Sequence, residues 1–425
     1  MPWAWHHDLL VRRLEHPGEM LTLGRLGLCS QKDGAVEWLV REVLPDRAAL
    51  AGAHSWQKLV AFTRSDDSGP TPWVESNLPA LPTSVVVELF QGFGAFRGHA
   101  WGFVRESGGV IRPLTELVLP GPEMRRIPLL AASLHGRTPV LDDPRCSRSI
   151  GGFAAQDGAE ILARMRERPL AVFGASRTGG LVAEWAMRLG IPLLLCDAKP
   201  LKRSHLGEIS VLLGDEDVGR AKVEAFARRA GEWSLGAALI EAIVARADSP
   251  AGADAAKRAG VLMDCCDTDS GRLAVAMLAT VFLKPQLSIA TGIRFDAAGQ
   301  RTLGADVRLV QPGDRCLLCL GGLTDYPGAL RELAAGPPRE SDPHDEVWRQ
   351  TRAGSLRSLN STAVGVGLRL LEDLYAGRIR TSRWVRIEWD EQGRVTTREP
   401  EPGPRPSDCP LCRKTGEGDA ALGLE

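Results

Sequence analysis

The pattern of hydrophobic and polar positions changes character part-way along the chain. Between residues 18 and 140 it runs in short apolar stretches broken by turn residues: MLTLGRLGL, EWLVREVLP, KLVAFTR, SVVVELF, AWGFVRE and TELVLPGP. Runs of this length and composition predict strands with a few helical turns, so residues 1–140 read as an α+β accessory domain. From about residue 145 the segments lengthen. DGAEILARMRER predicts a helix with Ile161, Leu162 and Met165 on one face. PLAVFGASRTGGLVAEWAMRLGIPLLLCDAKP then reads as a buried strand, a glycine-rich turn, an amphipathic helix and a second buried strand ending in an acid. That is a β-α-β unit. KVEAFARRA and LGAALIEAIVARA predict further helices, GVLMDCCD a short strand, GRLAVAMLATVFL a helix and QLSIATGIRF another strand. Such alternation implies an α/β domain over residues 143–415, a mostly parallel sheet with helices on both faces. Within it, AAGPPRESDPHDE (334–346) reads as a polar linker. SLNSTAVGVGLRLLEDLYAG reads as a helix, and SRWVRIEWDEQGRVTTREPEP as a hairpin turning near Gly393. Residues 416–425 read as a flexible tail.

Composition narrows the class. The 425 residues are 44% hydrophobic, enough apolar material for two cores. Lys and Arg total 52 against 53 Asp and Glu, so no overall field points to nucleic acid or a membrane surface. No apolar stretch approaches the roughly 18 residues of a membrane span. The charged N-terminus does not resemble a signal peptide, so a cytoplasmic setting is expected. The cysteine count is nine, and an odd number in a long chain argues against a secreted disulfide framework.

The candidate chemistry lies in three places. The loop Gly174-Ala175-Ser176-Arg177-Thr178-Gly179 keeps the outer glycines of a G-x-G-x-x-G loop, with Ser176 in the middle position. It stands between a predicted strand and helix, and Asp197 ends the next strand, where such an acid can bind a ribose hydroxyl. Lys222 opens a predicted helix. MDCCDTDSGR brings Asp264, Asp267, Asp269 and Arg272 to a strand end, where carboxylates can hold Mg²⁺ against phosphates. Taken singly, the loop also fits a non-binding turn and the aspartates a solvated turn with a cap. Cys316-x-x-Cys319 and Cys409-x-x-Cys412 form a four-cysteine set suited to a closed structural Zn²⁺ site. A redox pair and unmetallated thiols are the other readings of the same spacing.

Together these motifs resemble the ThiF/MoeB/HesA family of E1-like (ubiquitin-activating-type) adenylyltransferases over roughly residues 143–412. The resemblance implies a Rossmann-like adenylation domain that uses ATP, Mg²⁺ and Zn²⁺. It implies that Gly174, Ser176 and Gly179 line the nucleotide, Asp197 binds ribose, Lys222 and Arg272 contact phosphate, and Asp267 positions Mg²⁺. It further implies a homodimer in which Arg148 reaches the partner subunit's triphosphate. The partner would be a small ubiquitin-like protein whose C-terminal tail is adenylated, with an E2-like cysteine, an amine or sulfide as acceptor. The added N-terminal domain fits the E1-like proteins of bacterial ubiquitin-like conjugation (antiphage defence) operons. A peptide-modifying adenylase of the same fold and a non-catalytic scaffold are the alternatives. An NAD-dependent oxidoreductase is a further rival.

Two departures matter. The family's N-L-x-R element becomes His205-Leu206-Gly207-Glu208, placing a carboxylate where the family has an arginine. The crossover loop, about 320–360, carries no cysteine, nor does any position from Leu320 to Asp408, so a dedicated thioester step is not expected. The N-terminal domain faintly resembles JAB/MPN-like domains. It lacks their H-x-H pair, having His99-Ala100-Trp101, which implies a catalytically silent form.

Overall fold

The computed structural model describes residues 3–4, 21–30, 36–43, 59–65, 85–90, 100–105, 111–113, 116–128, 146–154, 157–233, 240–295, 301–336, 355–390, 392–401, 403 and 406–423. His6, His7, His54, His99, His135 and residues 337–354 of the expected crossover loop lie outside these. The chain divides into two compact units. One comprises Met1–Pro139, Val281–Leu283 and Lys414–Glu425, the other Val140–Thr280 and Lys284–Arg413.

In the first unit the described strands are β1 (Trp3–Ala4), β2 (Leu21–Ser30), β3 (Val36–Val43), β4 (Leu59–Ser65), β5 (Val85–Phe90), β6 (Ala100–Arg105), β7 (Ile111–Pro113), β8 (Glu116–Leu119) and β9 (Arg125–Pro128). They form one mixed sheet, ordered β7-β6-β5-β4-β2-β3-β1-β8-β9. No α-helix occurs among the described residues of Met1–Pro139. Residues Asp419–Leu422, inside the stretch read as a flexible tail, form a 3₁₀ turn. There Asp419 is buried and accepts a hydrogen bond from the Ser30 amide at 2.7 Å.

The second unit opens with α1 (Ser147–Phe153) and α2 (Gly158–Glu167). β10 (Leu170–Phe173), α3 (Arg177–Leu189) and β11 (Leu193–Cys196) follow as the expected β-α-β unit. α4 (Lys222–Trp233) leads to β12 (Ile240–Ile243), and α5 (Pro250–Arg258) leads to β13 (Val261–Asp264). α6 (Asp269–Val281), the long hairpin of β14 (Gln286–Phe295) and β15 (Arg301–Val310), α7 (Tyr326–Ala335), α8 (Arg357–Tyr375), β16 (Arg383–Trp389) and β17 (Val395–Arg398) complete it. β12 corrects an expectation, since LGAALIEAIVARA reads as a helix. A four-residue run paired in a parallel sheet does not show its own period, so hydrophobic spacing cannot tell it from a helical turn. α7 lies at the start of the expected crossover segment, where the sequence reading placed no element.

The eight-stranded sheet runs β12-β11-β10-β13-β14-β15-β16-β17. The first five strands are parallel to their neighbours and the last four antiparallel, with β14 shared between the two sets. This is the α/β, Rossmann-like architecture expected. The chain leaves β10 toward β11 and β12, then returns to place β13 on the other side. The strand order therefore reverses between β10 and β13, and the carboxyl ends of those strands frame a ligand crevice. The β10, β11 and β13 side chains are buried throughout.

Candidate nucleotide site

The glycine loop sits at that reversal. Gly174 follows β10 with φ +95°, and a Cβ there would lie 2.7 Å from the Cys265 carbonyl oxygen at the end of β13. At Gly179 a Cβ would lie 1.8 Å from the Gly174 carbonyl oxygen. Each retained glycine thus has a steric reason: one adopts a left-handed backbone, and both permit close approach of chain segments. Ser176 occupies the residue before α3, and its side chain makes no capping hydrogen bond, leaving the first amides of the helix uncapped by it.

Asp197, immediately after β11, is tied on three sides. Its Oδ2 accepts from the Ala175 amide at 2.9 Å and from Lys222 Nζ at 3.3 Å, and its Oδ1 accepts from the Lys199 amide at 2.7 Å. Lys222 is the first residue of α4, and its side chain is only 4% exposed, against 9% for Asp197. The expected ribose acid and phosphate lysine therefore form one nearly closed ion pair beneath the glycine loop.

The three aspartates at and just beyond the end of β13 separate into different environments. Asp264 is fully buried and accepts from Ser288 Oγ at 2.7 Å and from the Cys266 amide at 3.1 Å. Asp269 accepts from the Thr324 and Asp325 amides at 2.9 and 2.8 Å, holding the segment that enters α7. Two of these three carboxylates, Asp264 and Asp269, are thus committed to backbone and side-chain donors. Asp267 is exposed, with Lys199 Nζ at 4.0 Å. One protein carboxylate fits Mg²⁺ in a nucleotide site, where phosphates and water supply most ligands. Arg272 donates to the Cys266 carbonyl at 2.9 Å. Arg148 lies exposed on α1, and no hydrogen bond or ion pair joins it to these residues.

Glu208 does not stand alone. Arg177 Nε, at the first position of α3, donates to Glu208 Oε2 at 3.0 Å, and both side chains are partly open to solvent. One residue earlier, Gly207 offers its carbonyl to Arg357 at the start of α8, at 3.2 Å. His205 Nδ1 accepts from the Lys202 amide at 3.1 Å, which leaves Nε2 to carry the proton of the neutral ring. Burial, then the nearby charges of Lys222, Arg177 and Lys202, hold His205 below the ordinary histidine range. Sequence reading missed His205 and Arg357 as members of the site. His205 appeared only as a departure from a motif, and nothing local marks Arg357.

The free thiols near the crevice are poor nucleophiles. Burial pushes Cys196 and Cys265 up to about 12. Cys266 is raised well above its ordinary value by burial and by Asp264 and Asp267. Thiolates are the reactive form, so none of the three is poised to take an acyl group.

The two Cys-x-x-Cys pairs meet. Cys316 Sγ lies 3.5 Å from Cys409 and 3.6 Å from Cys319, and Cys319 lies 3.6 Å from Cys412. These separations are far too long for disulfides. A tetrahedron with Zn–S bonds of about 2.3 Å has edges of about 3.8 Å, so the four sulfurs fit a structural Zn²⁺ ion. All four ligand atoms lie within 4.8 Å of one another, the one such cluster among the described residues. The cluster packs against Leu273 and Ala276 of α6. Arg308, buried on β15, donates to the Leu320 and Gly321 carbonyls at 2.9 and 3.1 Å and stacks 4.4 Å from the Trp384 ring centre. The cysteine staple is thereby fastened to the sheet and to the helix that leads out of the DCCDTD segment.

No protein-family model matches the chain, and a search of curated proteins finds no match. Among solved structures, the chain is similar to E. coli MccB with ATP, at 15% identity and TM-score 0.48, over 64% of this chain and 75% of that one. It is similar to E. coli MccB with MccA-N7isoASN at 16% identity and TM-score 0.48, with the same coverage. It is also similar to PaaA at 15% identity and TM-score 0.43, over 60% of this chain and 82% of that one. At these identities and scores the likeness carries no functional weight. No helix among the described residues is long and apolar enough to cross a membrane.

Proposed function

We propose that the chain is an ATP-dependent adenylyltransferase acting on the C-terminal carboxylate of a polypeptide. The observation that carries this reading is the convergence at the β10/β13 reversal: a sterically required glycine loop, the Asp197–Lys222 pair and the exposed Asp267. In the proposed step a carboxylate oxygen attacks the α-phosphorus of ATP. The new C–O–P linkage forms as the bond to the bridging α,β-oxygen breaks, and pyrophosphate leaves with that electron pair. Asp197 would bind the ribose. Lys222 and Arg272 offset charge on the phosphates, and Asp267 is the residue that would hold Mg²⁺, which supplies charge neutralisation when bound. The protein's contribution is positioning and electrostatics, with no nucleophile of its own.

The high thiol pKa values and the cysteine-free stretch from Leu320 to Asp408 support transfer without an enzyme thioester. The acyl-adenylate would pass directly to an acceptor. A short peptide fits this simpler sequence of steps, and a ubiquitin-like protein is the second substrate class. A homodimer with Arg148 acting across it belongs to the same reading.

The test is pyrophosphate–ATP exchange, using radiolabelled pyrophosphate with a pool of synthetic peptides, the same pool C-terminally amidated, and a Gly-Gly-ended ubiquitin-like protein. Exchange should need a free carboxylate and disappear in Asp267→Ala. Binding of ATP without exchange on any acceptor would favour the scaffold reading. Thermal protection by NAD and not by ATP·Mg²⁺ would replace both.

A further inference from the structure

The turn His205–Glu208 gathers more positive charge than the Lys222–Asp197 pair accounts for. Arg177 comes from the glycine loop itself, at the start of α3. Arg357 comes from the start of α8, 150 residues beyond the carbonyl it meets. Both reach two adjacent residues of one turn, Arg177 at Glu208 and Arg357 at Gly207. Neither helix has an acidic residue in its first turn, and neither has a side-chain cap. Two arginines beside uncapped helix starts are unfavourable unless an anion offsets them.

The two partners differ from the closed Lys222–Asp197 pair. Arg177 and Glu208 are 36% and 42% exposed, so their ion pair is weakly held and easily exchanged. Arg357 spends a hydrogen bond on a carbonyl and has no carboxylate partner among the described residues. Its remaining donors suit the planar recognition of phosphate oxygens.

Resting on the adenylation reading, we infer that Arg177 and Arg357 form the cradle for the β- and γ-phosphates, and that Glu208 is the counter-ion the triphosphate displaces from Arg177. The residue that looks hostile to phosphate is on this view a placeholder. It keeps Arg177 ordered until the triphosphate arrives, at a cost that only a nucleotide carrying β- and γ-phosphates meets. Its removal should strengthen triphosphate binding, the opposite sign from loss of a structural contact.

The experiment is calorimetric titration of the full-length protein with ATP·Mg²⁺ and, separately, with AMP. Arg357→Gln should weaken ATP by about tenfold, the loss of one charge-assisted hydrogen-bonding group, while AMP changes by less than about twofold. Glu208→Gln should tighten ATP by roughly threefold or more and leave AMP unchanged, an effect that shrinks at high salt. Parallel weakening of ATP and AMP in Arg357→Gln overturns the inference, as does a Glu208→Gln variant whose ATP affinity is unchanged or lower. If Arg357→Gln does not fold, the Glu208→Gln sign still decides. A wild-type protein that binds neither nucleotide sinks the adenylation reading together with this one, whereas wild-type ATP binding with unresponsive variants sinks this one alone.

Discussion

Truncating Asp197 to alanine would leave the Lys222 ammonium buried without its counter-charge. At 3.3 Å and an effective dielectric near 20, their attraction is about 5 kcal/mol before desolvation is subtracted. Removing one member of a closed pair costs roughly 3–5 kcal/mol, because the survivor keeps its desolvation penalty. Asp197 also accepts two amide hydrogen bonds, from Ala175 and Lys199, each worth about 1 kcal/mol. Asp197→Ala should therefore sit at the upper end of that range. Lys222→Met should cost less, since Asp197 would keep both amide donors. The double variant removes both charges and should cost well below the sum of the singles, a coupling of about 2 kcal/mol or more. Urea unfolding followed by tryptophan fluorescence reads this directly. With a slope of about 3 kcal/mol per molar for a unit this large, the Asp197→Ala midpoint should fall by about 1 M or more. Additivity within about 0.5 kcal/mol, or a single-variant cost under about 1 kcal/mol, would refute the closed-pair argument.

Three further outcomes are expected. Purified protein should carry one zinc per chain by elemental analysis. Cys316→Ser or Cys409→Ser should abolish that stoichiometry and lower the unfolding midpoint, and zinc-free protein of undiminished stability would contradict the assignment. Gly179→Ala drives a methyl into the Gly174 carbonyl, so it should destabilise by about 1–3 kcal/mol and remove ATP protection in thermal melts. Burial holds the Cys196 thiol near 12 in the folded chain, against an ordinary value of 9.0. Its stabilising contribution is complete below pH 9 and is lost as pH rises toward 12. Wild type should then lose about 1.4 kcal/mol per pH unit more than Cys196→Ala between pH 9.5 and 11, measured by urea unfolding, and equal slopes would reject the shift.

Which parts of this site are visible in the chain follows from where the physics is local. The glycine loop, Asp197 and Lys222 are legible because each sits at a fixed offset from a strand or helix end, and the β-α-β hydrophobic pattern marks those ends. The cysteine pairs are legible because metal spacing is a short-range signal. β12 and β15 are not. The first is too short to show a period, and the second carries Asp306 and Arg308, charges whose partners lie on β16 and in the cysteine turn. The pairings that decide the electrostatics are tertiary. Arg177 meets Glu208 across 31 residues, and Arg357 meets Gly207 across 150. The three aspartates make the point most directly. Asp264, Asp267 and Asp269 have the same chemistry and lie within six positions, yet their surroundings give them different work. A strand-end position buries Asp264 against Ser288, and the entry to α7 claims Asp269 with two amides. Asp267 is exposed, with Lys199 Nζ at 4.0 Å. Residue type supplies the candidates, and the neighbours brought by the fold give each a different task.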